Sequence, residues 1–228
     1  MKFDNTRDFP YYRNNPRISK KGWIVLLLLI PFSFLIYTIV SEISEFIGSL
    51  IFCLILLIPL LYYSNWDYTL LFQKPTRNEI ILAVLMFLGY LAYSIVVGTI
   101  LDGASASGSG LANSFTITLE SIVSLVFSMM GEELIKFIPL MFFMRLFYKY
   151  TNSKSLSIAL SSVIILISFG LLHYYPPYTT LISVLALQGF GSIFELYGYL
   201  RTKNLLVPYI SHLLTDALVF TLIFLGIA

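Results

Sequence analysis

The chain has 228 residues, 58% of them hydrophobic and only 11% charged, with a formal net charge of +2. A soluble globular domain carries about 25% charged residues, so the composition excludes a water-soluble fold and indicates an integral membrane protein with the lipid bilayer as its solvent. With no soluble domain to carry a basic face, no nucleic-acid partner is expected, and the lone Cys53 rules out an intrachain disulfide or a CxxC-type motif.

Residues 1–22 set Lys2, Arg7, Arg13, Arg17, Lys20 and Lys21 against Asp4 and Asp8. They read as a basic cytoplasmic segment that attracts anionic lipid. The apolar run at 23–41 is too long for a signal peptide and is followed by Glu42 and Glu45 rather than a cleavage pattern, so it reads as a true span. Further runs near the ~20 residues needed to cross the hydrocarbon core lie at 45–63, 79–100, 114–144, 156–174, 178–199 and 205–227. The fourth is long enough to be one tilted helix or two helices broken near Gly131. The expected fold is therefore all-α, a polytopic membrane helical bundle of seven or eight transmembrane helices.

Between the runs, "SNWDYTLLFQKP" (64–75) suits an interfacial segment. The Gly/Ser/Ala stretch 103–110 reads as a flexible loop, and Pro176 and Pro177 break the chain. With the N-terminus cytoplasmic, Lys74, Arg77, Arg145, Lys149, Lys154, Arg201 and Lys203 all fall on the cytoplasmic side, as the positive-inside rule expects.

A few ionisable residues lie inside the apolar runs: Glu120, Glu132, Glu133, Lys136, His173, Glu195, His212 and Asp216. Each such group costs about 2.5–3.5 kcal/mol at mid-membrane on insertion scales, so it normally faces the protein interior and a partner. Glu132 and Lys136 are i, i+4 and Glu133 and Lys136 i, i+3, which puts them on one helix face. Phe169 and His173, and His212 and Asp216, are also i, i+4. Three spans thus each present a short polar cluster. Glu132 lies about 20 Å of helix from Arg145 and His212 about 14 Å from Lys203, so the two can share a depth. His173 lies about 27 Å from Ser155 and needs tilt or a later helix start to join them.

"EELIK", "FGLLH" and "HLLTD", the last led in by "GYLRTKNLLVPYISH", together resemble the CAAX protease and bacteriocin-processing (Abi) family of intramembrane proteases. The resemblance covers roughly 114–227. It divides the chain into the basic segment 1–22, N-terminal transmembrane helices and loops at 23–113, and a family-like catalytic core at 114–228. The family pattern is a paired Glu motif ending in Arg, then Phe-x-x-x-His, then His-x-x-x-Asn or Asp. Here Phe137 stands at the Arg position and the basic residue is Lys136; the Glu-Glu-x-x-Lys form is similar to more distant PrsW-type relatives.

The resemblance implies peptide hydrolysis inside the membrane, on a CAAX-type tail, a bacteriocin or pheromone leader, or another membrane protein. A carboxylate held in a low-dielectric pocket is a better general base at neutral pH than one in water. On this reading Glu132 takes a proton from water, His173 positions that water and His212 donates to the oxyanion. Lys136 holds Glu133 or Glu132 by an ion pair. Asp216 is awkward, because an ionised carboxylate repels an oxyanion, so it is either protonated or orients His212. No cofactor is expected; the rival arrangement is zinc on Glu132, His173 and His212. Each cluster also has a plainer reading: a structural ion pair at Lys136, an interfacial histidine in an aromatic belt at His173, and polar glue between helices at His212 and Asp216. Glu195 reads as structural or as a substrate-channel group, and Glu120 as a solvated helix-end charge. Two other functions use the same residues: a non-catalytic scaffold or self-immunity protein acting on a partner membrane protein, and a proton-coupled transporter.

Overall fold

The computed structural model describes residues 1, 3, 6–13, 15–104 and 117–227, and among these it is all helix and turn. In hydrocarbon every backbone N–H and C=O must be paired within the segment, which is why long apolar runs become helices. The long helices are α1 (Lys20–Ser41), α2 (Glu45–Tyr63), α3 (Arg77–Ala104), α4 (Leu119–Thr151), α5 (Lys154–Leu172), α6 (Leu181–Thr202) and α7 (Leu206–Phe224). Six of them are long and apolar enough to cross a membrane by length and composition. The other is α4, whose 33 residues span about 50 Å but carry Glu132, Glu133 and Lys136. The polytopic all-α bundle expected from the sequence is borne out.

Serine and threonine set the starts. The side chains of Ser19, Ser44, Thr118, Ser153 and Thr180 each accept from a backbone N–H in the first turn of α1, α2, α4, α5 and α6, which satisfies donors that a helix cannot satisfy itself. Asn152 (φ 51) and Lys203 (φ 54) close α4 and α6 in the left-handed region. The fourth run is one unbroken helix through Gly131. Phe52 of α2 packs where a Cβ on Gly131 would lie, so that glycine permits a close α2–α4 approach rather than a break. The loop expected at 103–110 begins later, because α3 continues through Ala104, and from 105 it lies outside the described residues.

Helix α4 is the axis. It packs against α2, α5 and α7, while α3 lies against α6 and α7. Leu134, Ile138, Leu140, Met141 and Met144 of α4 are all but fully buried. Helix α6 is irregular: it widens to a π-helix over Val184–Gly189 and tightens to a 3-10 turn over Phe190–Ser192. At this point α5 and α6 touch through bare backbone. A Cβ on Gly170 would sit 2.9 Å from the Val184 carbonyl oxygen, and one on Gly189 2.8 Å from that of Leu166.

The N-terminal segment is not a free basic tail. Phe9, Tyr11, Tyr12 and Ile18 are buried, and residues 7–13 form a strap across the bundle end that carries the basic loops. Arg7 pairs with Glu79 of α3 at 2.8 Å, Asp8 with Lys154 of α5 at 2.5 Å. Arg145 of α4 donates to the Tyr11 and Arg13 carbonyls, and Tyr11 shares a hydrogen bond with Ser64. The sequence reading missed this because it weighed the charges and passed over the three aromatics between them. The 64–75 connection is tied down too. It carries one short 3-10 turn (Tyr68–Leu70), its Leu71 carbonyl accepts from Leu205 N–H, and Gln73 and Asn204 exchange two hydrogen bonds.

Candidate active site

Four helices bring their ionisable residues to one place. Lys136 of α4 is its centre, buried with 5% exposure, and its ammonium lies 2.5 Å from Glu133 Oε1 and 2.5 Å from Glu195 Oε2 of α6. The same ammonium sits 4.6 Å above the Phe169 ring of α5, a cation–π contact that strengthens when water is excluded. Of the two partners considered for Lys136, the structure provides Glu133. Its second partner is Glu195, whose place here the sequence did not reveal.

His212 of α7 joins through Glu133, with Nδ1 2.8 Å from Glu133 Oε1. Glu133 also faces the Lys136 ammonium, so it is ionised and accepts, and the imidazole Nδ1–H donates. That bond fixes the ring and turns Nε2 outward, as a carboxylate does for a functional histidine. Nε2 lies 3.8 Å from Glu132 Oε2 and 3.8 Å from Asp216 Oδ2. Orientation of His212 through Nδ1 therefore falls to Glu133, whereas Asp216 stands on the opposite, Nε2 side of the ring. Glu132 and Asp216 retain 24% and 29% side-chain exposure, against 4% for Glu133. One carboxylate of the Glu132–Glu133 pair is locked into the protein and the other is offered to open space.

That space is a cavity of about 880 Å³. Glu132, His173, His212 and Asp216 all line it, with Phe169 and Glu195 beside them. His173 follows the end of α5, its Nδ1 2.9 Å from the Phe169 carbonyl oxygen and its ring 4.8 Å from the Phe169 ring. A carbonyl only accepts, so Nδ1–H donates to it, and in that tautomer of an imidazole the lone pair is on Nε2. Phe169 is thus the shared wall between the two histidines, its ring 6.5 Å from that of His212. Away from the polar cluster the lining becomes apolar along α3 and α7, at Leu91, Val219, Phe220 and Ile223. It reaches Ser41 and Glu45 at the end opposite the basic loops.

Glu120 lies apart from this cluster. It is exposed and accepts from Ser44 Oγ and the Phe46 N–H, tying the start of α4 to the start of α2.

A metal is a separate question. Among the described residues, the group with ligand atoms close enough to share an ion is Glu133, Glu195 and His212, within 4.8 Å of one another. It is not the Glu132, His173 and His212 set considered from the sequence. Lys136 already stands within hydrogen-bond reach of both carboxylates, so its ammonium supplies the positive charge that a metal would bring. A resident metal does not fit that position without displacing it.

The fold and the cluster define a class: a multi-pass helical membrane protein with a carboxylate–histidine site built from several spans. Residues 114–218, a little under half of the chain, match the family described as Type II CAAX prenyl endopeptidase Rce1-like, within the group that the three motifs resemble. That family is one of CAAX-type intramembrane endopeptidases. No curated protein and no solved structure matches the chain.

Proposed function

We propose that this protein is an intramembrane endopeptidase that cleaves an apolar or lipid-modified peptide segment with a water activated by Glu132, without a metal. The observation that carries this is the 3.8 Å spacing of His212 Nε2 from both Glu132 and Asp216, on a ring whose other nitrogen is held by Glu133. At 3.8 Å the pairs are too far apart for direct hydrogen bonds, and the gap has the width that a bridging water or carbonyl oxygen fills.

Glu132 removes a proton from the water, and the lone pair on His173 Nε2 accepts from its other hydrogen and aims it. The water oxygen adds to the scissile carbonyl carbon. The negative charge that develops on the carbonyl oxygen is met by the Nε2–H of His212, which as an imidazolium among Glu133, Glu132 and Asp216 donates from both ring nitrogens and is oriented before the reaction begins, which is what makes such a group effective. Asp216 lies on that same side and shares the cluster's proton with Nε2 and Glu132. When the C–N bond breaks, the leaving amine takes the proton from this group. Lys136 touches none of the reacting atoms; it keeps Glu133 ionised and so keeps His212 in place. The apolar stretch at Leu91, Val219, Phe220 and Ile223 receives the apolar part of the substrate.

The test uses the full chain in lipid vesicles with two quenched peptides, one with a farnesylated cysteine near its C-terminus and one an unprenylated apolar leader. Cleavage of at least one is expected; Glu132→Gln lowers it by about 10²–10⁴ and His212→Ala by about 10²–10³. Glu132→Gln cleaving as well as the wild type defeats the reading. The peptide that is cleaved identifies the substrate class.

A further inference from the structure

A second cavity, of about 620 Å³, lies between α1, α4 and the N-terminal strap. Its lining holds four cations, Arg13, Lys20, Arg145 and Lys149, and no carboxylate among the described residues. None of these residues belongs to the site described above, and Phe142 of the same wall is about 15 Å along α4 from Glu132.

The order of residues along its walls matters more than the charge alone. Lys20 is the first residue of α1, and Trp23, Ile24 and Leu27 follow it toward the middle of the bundle. Helix α4 runs the opposite way, so Lys149 and Tyr148 lie near its end while Leu146 and Phe142 lie deeper. Both walls therefore begin with a cation and an aromatic ring and become apolar deeper, at Ile24 and Leu27 on α1 and at Leu146 and Phe142 on α4, with Arg145 between the last two. That gradient matches the headgroup, interface and acyl chain of a phospholipid. Arg13 is exposed and is held in place by stacking over the Tyr12 and Tyr148 rings, at 5.1 and 5.2 Å. Arg145 spends Nη1 on the Tyr11 and Arg13 carbonyls, while Lys20 and Lys149 are exposed at the mouth. The wall also contains Trp23, whose buried indole N–H has no hydrogen-bond partner among the described residues.

From this juxtaposition we infer that the α1–α4 groove is a binding site for an anionic glycerophospholipid, with Arg13, Lys20 and Lys149 around its phosphate and an acyl chain along Ile24, Leu27 and Phe142. The bound lipid also rests on Tyr12, so it holds the strap against the bundle. Zwitterionic lipids carry the same chains but lack the net charge that the four cations of the lining select.

The experiment reads lipid retention on the purified full chain by native mass spectrometry, with thermal stability as a second readout. Phosphatidylglycerol, phosphatidylcholine and soluble glycerol phosphate are each added. Wild type retains phosphatidylglycerol over phosphatidylcholine, and Lys20→Gln with Lys149→Gln lowers that retention by roughly thirty-fold, each cation contributing about a factor of five. Lys74→Gln with Arg77→Gln removes the same charge from exposed positions at the same end but outside the groove, and leaves retention near wild type. Equal loss in both double variants means diffuse attraction and overturns the site. So does equal retention of the two lipids. Stabilisation by glycerol phosphate as large as that by phosphatidylglycerol assigns the groove to a soluble phosphate and overturns the lipid.

Discussion

Lys136 Nζ of α4 and Glu195 Oε2 of α6 stand 2.5 Å apart across 59 positions of the chain. One ammonium thus compensates two buried carboxylates, because Glu133 claims it as well. Removing the cation leaves Glu133 with His212 alone and Glu195 without a cation partner among the described residues, which costs far more than the net value of the pair. Lys136→Met is expected to destabilise the protein by about 3–5 kcal/mol. Lys136→Met combined with Glu195→Gln recovers part of that loss. Thermal unfolding in detergent measures both, and strictly additive losses would contradict the shared-ammonium arrangement.

The two neighbouring glutamates separate cleanly. Glu132 is partly exposed with no hydrogen bond among the described residues to restrain it, whereas Glu133 holds both Lys136 and His212. Glu132→Gln is expected to leave the unfolding temperature within a degree or two while kcat falls by about 10²–10⁴ and KM holds. Glu133→Gln lowers stability and activity together. Steady-state kinetics beside a melting curve distinguish these patterns.

Asp216 stands on the Nε2 side of His212 rather than behind it. Asparagine at this position keeps the size of the side chain and supplies an N–H donor toward the oxyanion. Asp216→Asn is expected to retain activity within a few-fold, whereas Asp216→Ala loses about 10²-fold. If both variants fall equally, the carboxylate itself is required and an amide donor does not replace it.

Gly170 and Gly189 let the backbones of α5 and α6 meet. Either glycine changed to alanine puts a methyl against a carbonyl oxygen that cannot swing away, at a cost of about 1–3 kcal/mol. Gly189→Ala is expected to lower activity beyond its effect on stability, since α5 carries Phe169 and leads to His173 while α6 carries Glu195. Comparing kcat at temperatures well below each variant's melting point isolates that effect.

The strap is acid-sensitive. Partial burial opposes the ionisation of Asp8, but hydrogen bonds from Lys154, Tyr12 and the Phe9 N–H outweigh it and hold the carboxyl below its ordinary value. A carboxyl depressed in the folded state stabilises that state above the ordinary carboxylate pKa of about 3.9, and the contribution is lost as pH falls from there through the lower folded value. Limited proteolysis near residues 7–13 is expected to accelerate below about pH 4. In Asp8→Asn, cleavage at neutral pH is faster than in wild type and the acid-dependent step is smaller.

What the sequence revealed follows the range over which its signals act. The spans were legible because each apolar run approaches the length set by the bilayer, and the run read from 156 starts within two residues of α5 at Lys154. Glu132, Glu133, Lys136, His212 and Asp216 stood out because charge inside an apolar run is costly. Spacing within a helix names only near neighbours, so it could pair Lys136 with Glu133 but could not reach Glu195. It was equally blind to which side of the His212 ring Asp216 occupies, since that depends on how α4 and α7 face each other. The π-helical widening at Val184–Gly189 left no mark in the apolar pattern. The strap was hidden in another way: Phe9, Tyr11 and Tyr12 form too short a cluster to register beside six cations.

Residues 7–13 leave the ribosome before any of the helices that will hold them. Their anchors are scattered through the rest of the chain, from Ser64 and Glu79 to Arg145, Lys154 and the Thr202 carbonyl. The strap is therefore synthesised before these helices and secured only once the sixth has been delivered. A stalled or truncated polypeptide leaves three aromatic side chains bare at the water boundary, where quality-control proteases can find them. The strap thus reports whether the six helices that follow it have been made.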